Sequence, residues 1–282
     1  MRWAATLPHS TATDSTLPVA AASNNRSIYD YLLATRSEKG AGFIVLVDPD
    51  KLPERDAPEF TERCTAAGVD AFFIGGSLMH SGELDRYVGR MKLTTDRPII
   101  GFPGSVSQLA SAYDAVLFLS VMSGRNPELL IGQHVHAAPT IKRFGMEPIP
   151  TAYLLIESGR MTTAQYMSGS APIPRHKPEI AATTALAAEM LGMKLIFTDG
   201  GSGAEHPVSQ EMIAAITQTV EIPLVVGGGI RTPEAVASRV EAGASFIVVG
   251  HAIENRADDG SYVAELAEAA HPAMVQPVAR GL

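Results

Sequence analysis

Eight short apolar runs recur along this chain, and most are separated by amphipathic segments of helical length. They are residues 43–47, 71–74, 98–101, 115–119, 149–156, 194–198, 224–226 and 246–249. Strands that are apolar on both faces are typical of a parallel sheet covered by helices. Because parallel strands need right-handed crossovers, the alternation predicts an α/β fold, a (β/α)8 TIM barrel.

The third unit departs from this alternation. Gly101-Phe-Pro-Gly-Ser105 leaves too few residues before the fourth strand for a full helix, so we predict a barrel modified at its third helix.

One barrel accounts for the length, since such domains commonly take about 250 residues. We expect a poorly ordered N-terminal extension at residues 1–26, the barrel at 27–270 and a C-terminal tail at 271–282. Residues 157–177 are rich in Gly and Pro and predict a long loop over the C-terminal face.

Composition limits the classes of function. The formal net charge is −8, so we expect no nucleic-acid partner, and an anionic ligand must be held by local groups. The single cysteine, Cys64, cannot form an internal disulfide and indicates a reducing compartment. No apolar stretch approaches the ~20 residues of a membrane span. We therefore expect a soluble, cytoplasmic protein.

Glycines follow the predicted seventh and eighth strands. Gly228 and Gly229 stand in a triple glycine before Thr232-Pro233, and Gly250 ends the last run. Glycine lets the backbone approach phosphate oxygens closely, and a helix capped by threonine adds the positive end of its dipole. The loops after strands seven and eight are where this fold usually binds phosphate. A flexible turn is the alternative, but the combined pattern favours a phosphate site.

Acidic residues follow the first and sixth strands. Asp48 leaves strand one, and Asp199 leaves strand six ahead of further glycines, while Gly75-Gly-Ser77 follows strand two. Catalytic groups of this fold lie at such strand ends. Carboxylate oxygens there suit Mg²⁺, which typically takes one or two carboxylates plus phosphate oxygens. For Asp48 a solvated turn is the alternative, because Asp-Pro is a common turn dipeptide.

Ordered motifs between about residues 28 and 254 resemble those of the geranylgeranylglyceryl phosphate synthases and their bacterial PcrB-type relatives. The form of the motifs is similar to the larger, mainly archaeal branch that also occurs in bacteria. The motifs are Leu46-Val-Asp-Pro-Asp-Lys51, Ile74-Gly-Gly-Ser77, Phe102-Pro-Gly-Ser105, Arg125-Asn-Pro127, Gly201-Ser-Gly-Ala204, Val226-Gly-Gly-Gly-Ile-Arg231 and Val248-Val-Gly250.

The resemblance implies a prenyltransferase that joins sn-glycerol-1-phosphate to geranylgeranyl diphosphate, or a related polyprenyl diphosphate. The products are an ether-lipid precursor and diphosphate. Asp48 and Ser77 would hold Mg²⁺, and Asp199 and Tyr153 would be catalytic. Glycerol phosphate would contact Phe197, Asp199, Gly200, Gly201, Ser202, Gly228, Gly229, Gly250 and His251. Tyr153 could hydrogen-bond the phosphate or face a carbocation through its ring, and a packed barrel tyrosine is the alternative.

The chain departs from the family pattern at three places near the predicted mouth. Phe197-Thr-Asp-Gly200 stands where the family usually has Tyr-Leu-Glu-Ala, His251 stands where asparagine is usual, and Ser123-Gly124 replaces Asn-Ser. A misplacement of about 1 Å can cost on the order of 10²-fold in rate. These departures predict either reduced activity or a shifted substrate preference.

Two other functions stay open at this point. A phosphosugar isomerase or synthase would share the phosphate site but would need facing acid and base groups at strands one and five. Strand five instead ends in Leu154-Leu-Ile156, an apolar wall that favours a lipid chain. A barrel that binds phosphate or prenyl lipid without turnover is the second alternative. The resemblance also implies a homo-oligomer, a dimer or hexamer, and a lipid product implies transient contact with a membrane surface.

Overall fold

Eight parallel strands close into a barrel in the computed structural model, which describes residues 27–80, 82–254 and 260–274. Each strand pairs with its neighbours in sequence, and β8 pairs with β1 to close the ring. The strands are β1 Gly42–Val47, β2 Ala71–Ile74, β3 Ile99–Gly101, β4 Ala115–Val121, β5 Glu147–Leu155, β6 Leu195–Asp199, β7 Leu224–Gly227 and β8 Phe246–Val249. The predicted α/β barrel is confirmed.

Helices surround this ring, and the first of them packs Leu32 against the hydrophobic cluster of the barrel interior. They are α1 Ile28–Lys39, α2 Ala57–Ala66, α3 Leu84–Met91, α4 Gln133–Phe144, α5 Thr163–Ser168, α6 Pro178–Met190, α7 Gln210–Thr217, α8 Pro233–Glu241, α9 His251–Glu254 and α10 Ser261–Ala270. A π-helical turn, Glu128–Gly132, leads into α4. None of the helices in the described ranges is long and apolar enough to cross a membrane.

The connection between β3 and β4 holds a single 3-10 turn, Val106–Gln108, in place of a helix. The Gln108 side chain fixes this short connection, because its Oε1 accepts from the Gly104 amide at 2.8 Å and its Nε2 donates to the Gly76 carbonyl at 2.9 Å. The predicted modification at the third helix is therefore confirmed. The connection is also tied to the end of β2.

Alternate residues of each strand face two different hydrophobic layers. The barrel interior contains Ile44, Phe73, Ile100, Leu117, Tyr153, Phe197 and Phe246, among others. The layer between strands and helices contains Phe43, Phe72, Val116, Leu154, Ile196 and Val226, among others. This double burial explains why the strands are continuously apolar in sequence.

The amino-terminal end of the barrel is closed by a buried carboxylate. Asp70 is 1% exposed, and it accepts hydrogen bonds from the Phe43 amide at 2.8 Å, from His271 Nε2 at 2.8 Å and from Lys39. Burial by itself raises the pKa of Asp70, but these hydrogen bonds outweigh it and the net pKa is lowered. His271 belongs to the predicted tail, so packed structure continues beyond residue 270. Residues 1–26 and 275–282 lie outside the described residues.

The segment predicted as a long loop over the C-terminal face, residues 157–177, contains the short helix α5. Thr162 caps this helix by accepting from the Gln165 amide, and Ile173 bridges to Ile156 beside β5. The segment is therefore partly regular rather than a continuous loop. The sequence obscured this because α5 spans under two turns and carries a weak pattern.

Candidate active site

Two adjoining cavities open at the carboxyl ends of the strands. The smaller has a volume of about 60 Å³ and the larger about 810 Å³. Six residues line both cavities: Leu46, Asp199, Ser202, Gly203, Gly250 and His251. A ligand with a small polar part and a long apolar part can therefore occupy the two cavities together, with Asp199 at their junction.

The smaller cavity is built on the ends of β7 and β8. Gly228 and Gly229 have φ angles of 84° and 75°, a backbone region that favours glycine. A Cβ at Gly228 would lie 2.6 Å from Asp199 Oδ1, so this position also needs glycine for close approach. Thr232 accepts from the Ala235 amide at 3.2 Å and caps α8 beside the cavity. Positive φ glycines and a capped helix here fit an anion, as the sequence predicted.

The predicted site did not include an arginine that lies at the same place in the structure. Arg231 lines the smaller cavity, and its Nη2 donates to the Ala204 carbonyl at 2.7 Å. A cation beside the glycines strengthens the case for an anionic ligand. The signal was present in sequence, because Arg231 ends the motif that begins with the three glycines.

Asp199 is held by two hydrogen bonds at the end of β6. Its Oδ2 accepts from the Tyr153 hydroxyl at 2.6 Å, and its Oδ1 accepts from the Gly201 amide at 2.7 Å. Burial raises the pKa of Asp199, and although both hydrogen bonds act in the opposite direction, the net shift is upward. Burial and the neighbouring carboxylate raise the pKa of Tyr153 well above its ordinary value. Tyr153 is therefore the donor of this pair, and Asp199 is the group suited to accept a proton.

Three residues predicted to contact glycerol phosphate lie behind the cavity surface. Phe197 is 1% exposed and packs at 5.1 Å between ring centroids on Phe102. The Gly200 amide donates to the Gly227 carbonyl, and the Gly201 amide is occupied by Asp199. The described residues that line the smaller cavity include the other six predicted positions: Asp199, Ser202, Gly228, Gly229, Gly250 and His251.

Asp48 lies at the mouth of the larger cavity with Ser77, as predicted. Asp48 Oδ2 is 2.9 Å from Lys51 Nζ, and Asp48 Oδ1 accepts from the Asp50 amide at 3.1 Å. The Asp48 amide donates at 2.8 Å to Glu254 Oε1, from the end of α9. The sequence did not predict Glu254, which lies one helical turn beyond β8. Burial raises the pKa of Glu254.

The oxygen donors at this mouth fit Mg²⁺. The described residues hold no group of three or more His, Cys, Asp or Glu side chains that could bind a metal by themselves. Asp48 and Ser77 supply hard oxygen atoms, and the buried Oε2 of Glu254 has no hydrogen-bond partner among the described residues. Mg²⁺ usually completes its shell with water and substrate phosphate oxygens, and therefore a small set of protein donors suits it.

The larger cavity extends from this polar mouth along an apolar wall. The wall is formed by the short β3–β4 connection, the outward face of β4 and helix α4. Its apolar lining includes Phe102, Val106, Leu109, Val116, Phe118, Leu129, Ala137 and Ile141. The prediction that Leu154-Leu-Ile156 forms the lipid wall is wrong. Those residues pack into the two hydrophobic layers instead, because they alternate between the barrel interior and the helices.

Polar side chains also line this wall, among them Gln133 and His134 of α4. His134 of α4 is 8% exposed, contacts Ser120 Oγ through Nε2 at 3.2 Å and packs edge-on against Phe118. Burial lowers the pKa of His134, so the imidazole is neutral near pH 7. The wall therefore carries no charge along α4 at this point.

Comparison with known proteins assigns the family. The sequence pattern of the PcrB family matches residues 34–269. The chain belongs to the PcrB family. It is 47% identical over 249 residues to the geranylgeranylglyceryl phosphate synthase of Chitinophaga pinensis, covering 88% of this chain and 98% of that relative. It is 46% identical over 211 residues to the synthase of Thermococcus gammatolerans, covering 74% of this chain and 83% of that relative.

A solved structure gives the same picture of the fold. The (S)-3-O-geranylgeranylglyceryl phosphate synthase of Thermoplasma acidophilum was crystallised with its substrate sn-glycerol-1-phosphate. It superimposes on this chain with a TM-score of 0.83 at 29% identity, covering 87% of this chain and 99% of that one. The two chains therefore share the barrel fold.

Proposed function

We propose that this PcrB family member is a prenyltransferase that joins sn-glycerol-1-phosphate to geranylgeranyl diphosphate or a related polyprenyl diphosphate. The observation that carries this proposal is the junction of a small glycine-lined cavity with a large apolar one at Asp199. A phosphosugar would leave the apolar cavity without an occupant. The names of the relatives, and the glycerol phosphate bound to one of them, support the same assignment.

The glycine-lined cavity would bind the phosphate of sn-glycerol-1-phosphate. The cap of α8 and the cation of Arg231 supply favourable charge there. The glycerol hydroxyls would then lie toward Asp199, which lines both cavities. Such positioning converts a bimolecular encounter into a reaction between aligned groups, which is a large part of the catalysis that an enzyme can supply.

Asp199 would accept the proton of the attacking hydroxyl. In the reaction a bond forms between this hydroxyl oxygen and C1 of the prenyl diphosphate, and the bond from C1 to the diphosphate oxygen breaks. The proton passes to Asp199 and then to solvent, and diphosphate carries away the electron pair. Tyr153 holds the carboxylate through Oδ2. Its ring also lines the larger cavity, where it can face positive charge that develops at C1.

Asp48 and Ser77 would hold the Mg²⁺ that accompanies the diphosphate. Bound there, the metal supplies charge neutralisation for the leaving group. The prenyl chain would lie along Phe102, Phe118 and Ile141, away from water. Burial of apolar surface gives roughly 25 cal/mol per Å², so a long isoprenoid gains more binding free energy than a short one.

We further propose a cytoplasmic homo-oligomer that contacts membranes transiently. Ile131 and Val135, near the start of α4, are 60% and 64% exposed and could pack against a second copy. Met161 and Tyr166, around α5, are exposed close to the larger cavity and could contact the membrane that receives the product. Light scattering and vesicle flotation would test these two points separately.

The decisive experiment is an incubation with radiolabelled sn-glycerol-1-phosphate, Mg²⁺ and prenyl diphosphates of increasing length. We expect label to enter the organic phase with the longer prenyl donors and to stay aqueous when Mg²⁺ is chelated. The matched control is sn-glycerol-3-phosphate, which has the same charge and atoms with the opposite configuration. Binding of both substrates without any product would instead favour a non-catalytic barrel.

A further inference from the structure

Glu254 connects the end of β8 to Asp48 at the mouth of the larger cavity, and the proposed mechanism does not use this contact. Its side chain is 3% exposed, and Oε1 accepts from the Asp48 amide at 2.8 Å. The two residues are 206 positions apart in the chain. This bond fixes the main chain of Asp48 at the point where it leaves β1.

The second oxygen of Glu254 has no hydrogen-bond partner among the described residues. A buried carboxylate oxygen normally accepts a hydrogen bond, and the absence of a donor costs free energy. Lys51 Nζ lies 3.9 Å from Glu254 Oε2, just beyond hydrogen-bond distance. The geometry therefore places a donor close to the unpartnered oxygen but not on it.

Lys51 is drawn instead to Asp48. Its Nζ lies 2.9 Å from Asp48 Oδ2, and the opposite oxygen of Asp48 already accepts from the Asp50 amide. A cation at Asp48 Oδ2 would meet the Lys51 ammonium in the same place. The ammonium and a bound Mg²⁺ would therefore compete for one carboxylate oxygen, because two positive charges close together repel each other strongly.

We propose that Glu254 is a positioning residue of the magnesium–diphosphate site, whose Oε2 receives the Lys51 ammonium when Mg²⁺ replaces it on Asp48. This inference rests on the proposed metal assignment. The move requires the ammonium to approach Oε2 by about 1 Å, which brings a 3.9 Å contact to the usual charge-assisted distance. Lys51 stays in the larger cavity, where its charge can also attract diphosphate.

The test separates the two oxygens of Glu254. Glu254→Gln keeps a carbonyl oxygen for the Asp48 amide but loses the charge that receives Lys51. We expect it to fold normally and to bind the metal about tenfold more weakly, as is typical when a partner of a metal ligand is removed. The measurement is an electron paramagnetic resonance titration with Mn²⁺ as a stand-in for Mg²⁺, without any diphosphate, with circular dichroism as the folding check.

Lys51→Met supplies the matched background. Without the ammonium there is no competitor to receive, so Glu254→Gln should change the Mn²⁺ dissociation constant by less than about twofold in a Lys51→Met protein. The same tenfold loss in both backgrounds would overturn the inference, since Glu254 would then act without Lys51. Unchanged metal affinity of the single Glu254→Gln variant would also overturn it.

Asp48→Asn distinguishes failure of this inference from failure of the proposed function. If Asp48→Asn binds Mn²⁺ as tightly as the parent chain, the metal assignment itself is wrong and the inference falls with it. If Asp48→Asn loses the metal while Glu254→Gln does not, only the role of Glu254 is wrong. A loss in both single variants, which disappears for Glu254 in the Lys51→Met background, supports both proposals.

Discussion

The hydroxyl of Tyr153 on β5 donates to Asp199 Oδ2 on β6 across 2.6 Å. In the register of the two strands Tyr153 stands opposite Phe197, two residues before Asp199. The phenol therefore approaches the carboxylate from inside the barrel and leaves its outer side toward the cavities. The aspartate, shorter by one methylene than the glutamate that the resemblance leads us to expect, is held by this contact together with the Gly201 amide on Oδ1.

Removing the phenol should change the pH dependence of the reaction. In Tyr153→Phe one of the two hydrogen bonds that lower the pKa of Asp199 is lost, so that already raised pKa should rise further. The acidic limb of the kcat/KM profile should then move to higher pH, with a rate loss of about tenfold near neutrality. Tyr113→Phe, at another buried tyrosine, is the control and should leave the profile unchanged.

Asp199 should be required for proton removal. Asp199→Asn preserves shape but cannot accept a proton, so we expect turnover to fall by about 10²-fold or more. Asp199→Glu tests the departure from the family pattern: glutamate should lower activity if the walls are adjusted to the shorter acid, and raise it if they are not. Steady-state kinetics with the best prenyl donor gives both numbers. Parental turnover in Asp199→Asn would remove this residue from the mechanism.

A stability effect is expected at the opposite end of the barrel. Asp70→Asn leaves His271 and Lys39 without their buried partner, and removal of one member of a buried pair typically costs about 3–5 kcal/mol. The pKa of Asp70 is lowered in the folded chain. Its stabilisation is therefore present above the unfolded pKa and is lost as pH falls through the folded pKa.

Denaturant unfolding of Asp70→Asn and the parent chain at several pH values checks this sign. The difference in unfolding free energy should be largest near neutral pH and should shrink toward strongly acidic pH. A difference that grows on acidification would contradict the assignment. Glycerol phosphate affinity should be unaffected, because Asp70 lies at the amino-terminal end of the barrel.

The glycine-lined cavity can be tested at Gly228. In Gly228→Ala the new Cβ would lie 2.6 Å from Asp199 Oδ1 and from the Gly200 nitrogen. We expect glycerol phosphate affinity, measured by calorimetry, to fall at least about tenfold, the cost of 1.4 kcal/mol of lost interaction. Gly192→Ala is the matched control, since Gly192 has a φ of 86° and no described atom within 4 Å of a new Cβ.

Both variants should be destabilised by about 1–2 kcal/mol, because a positive φ is unfavourable for a residue other than glycine. Only Gly228→Ala should lose affinity. Equal affinities in the two variants would indicate that the phosphate binds at another part of the mouth.

The apolar wall predicts a change in prenyl preference. Ala137 faces the larger cavity from α4, so Ala137→Phe should fill part of the space that a long chain occupies. We expect kcat/KM to fall at least about tenfold for the longest accepted prenyl diphosphate and far less for a shorter one. Ala138→Phe, on the exposed side of the same helix, should leave the preference unchanged.

Much of the fold follows from local patterns in the sequence. The last strand matches its predicted bounds, and the missing third helix follows from Gly and Pro near the end of β3. The added residues of β4 and β5 do not, because Ser120 and Val121 pair with Ala152 and Tyr153, and Glu147 and Pro148 pair with Ala115 and Val116. Such pairing is a tertiary effect that a local pattern cannot express.

The site was predictable where residues directly follow strands, as Asp48, Asp199 and Gly228 do. Glu254 was missed because its connection to Asp48 joins the two ends of the barrel sequence. Phe197 was assigned to the ligand from the family resemblance and Leu154 from the apolar end of strand five, yet the direction of a strand side chain alternates. In the structure Phe197 is covered by the rings of Phe102 and Tyr153, and Leu154 packs in the layer between strands and helices, so neither lines a cavity.

Because no helix fills the space between β3 and β4, different parts of one barrel can recognise the charged and the apolar parts of the substrates. In the proposed assignment, loops after β1 and β2 would meet the diphosphate and loops after β6, β7 and β8 the glycerol phosphate, while β4 and α4 would meet the hydrocarbon at the flank. Mutations that lengthen or shorten the tail compartment can therefore accumulate without disturbing the chemistry at the rim. A chain built this way can change which hydrocarbon it accepts while the reaction itself stays the same.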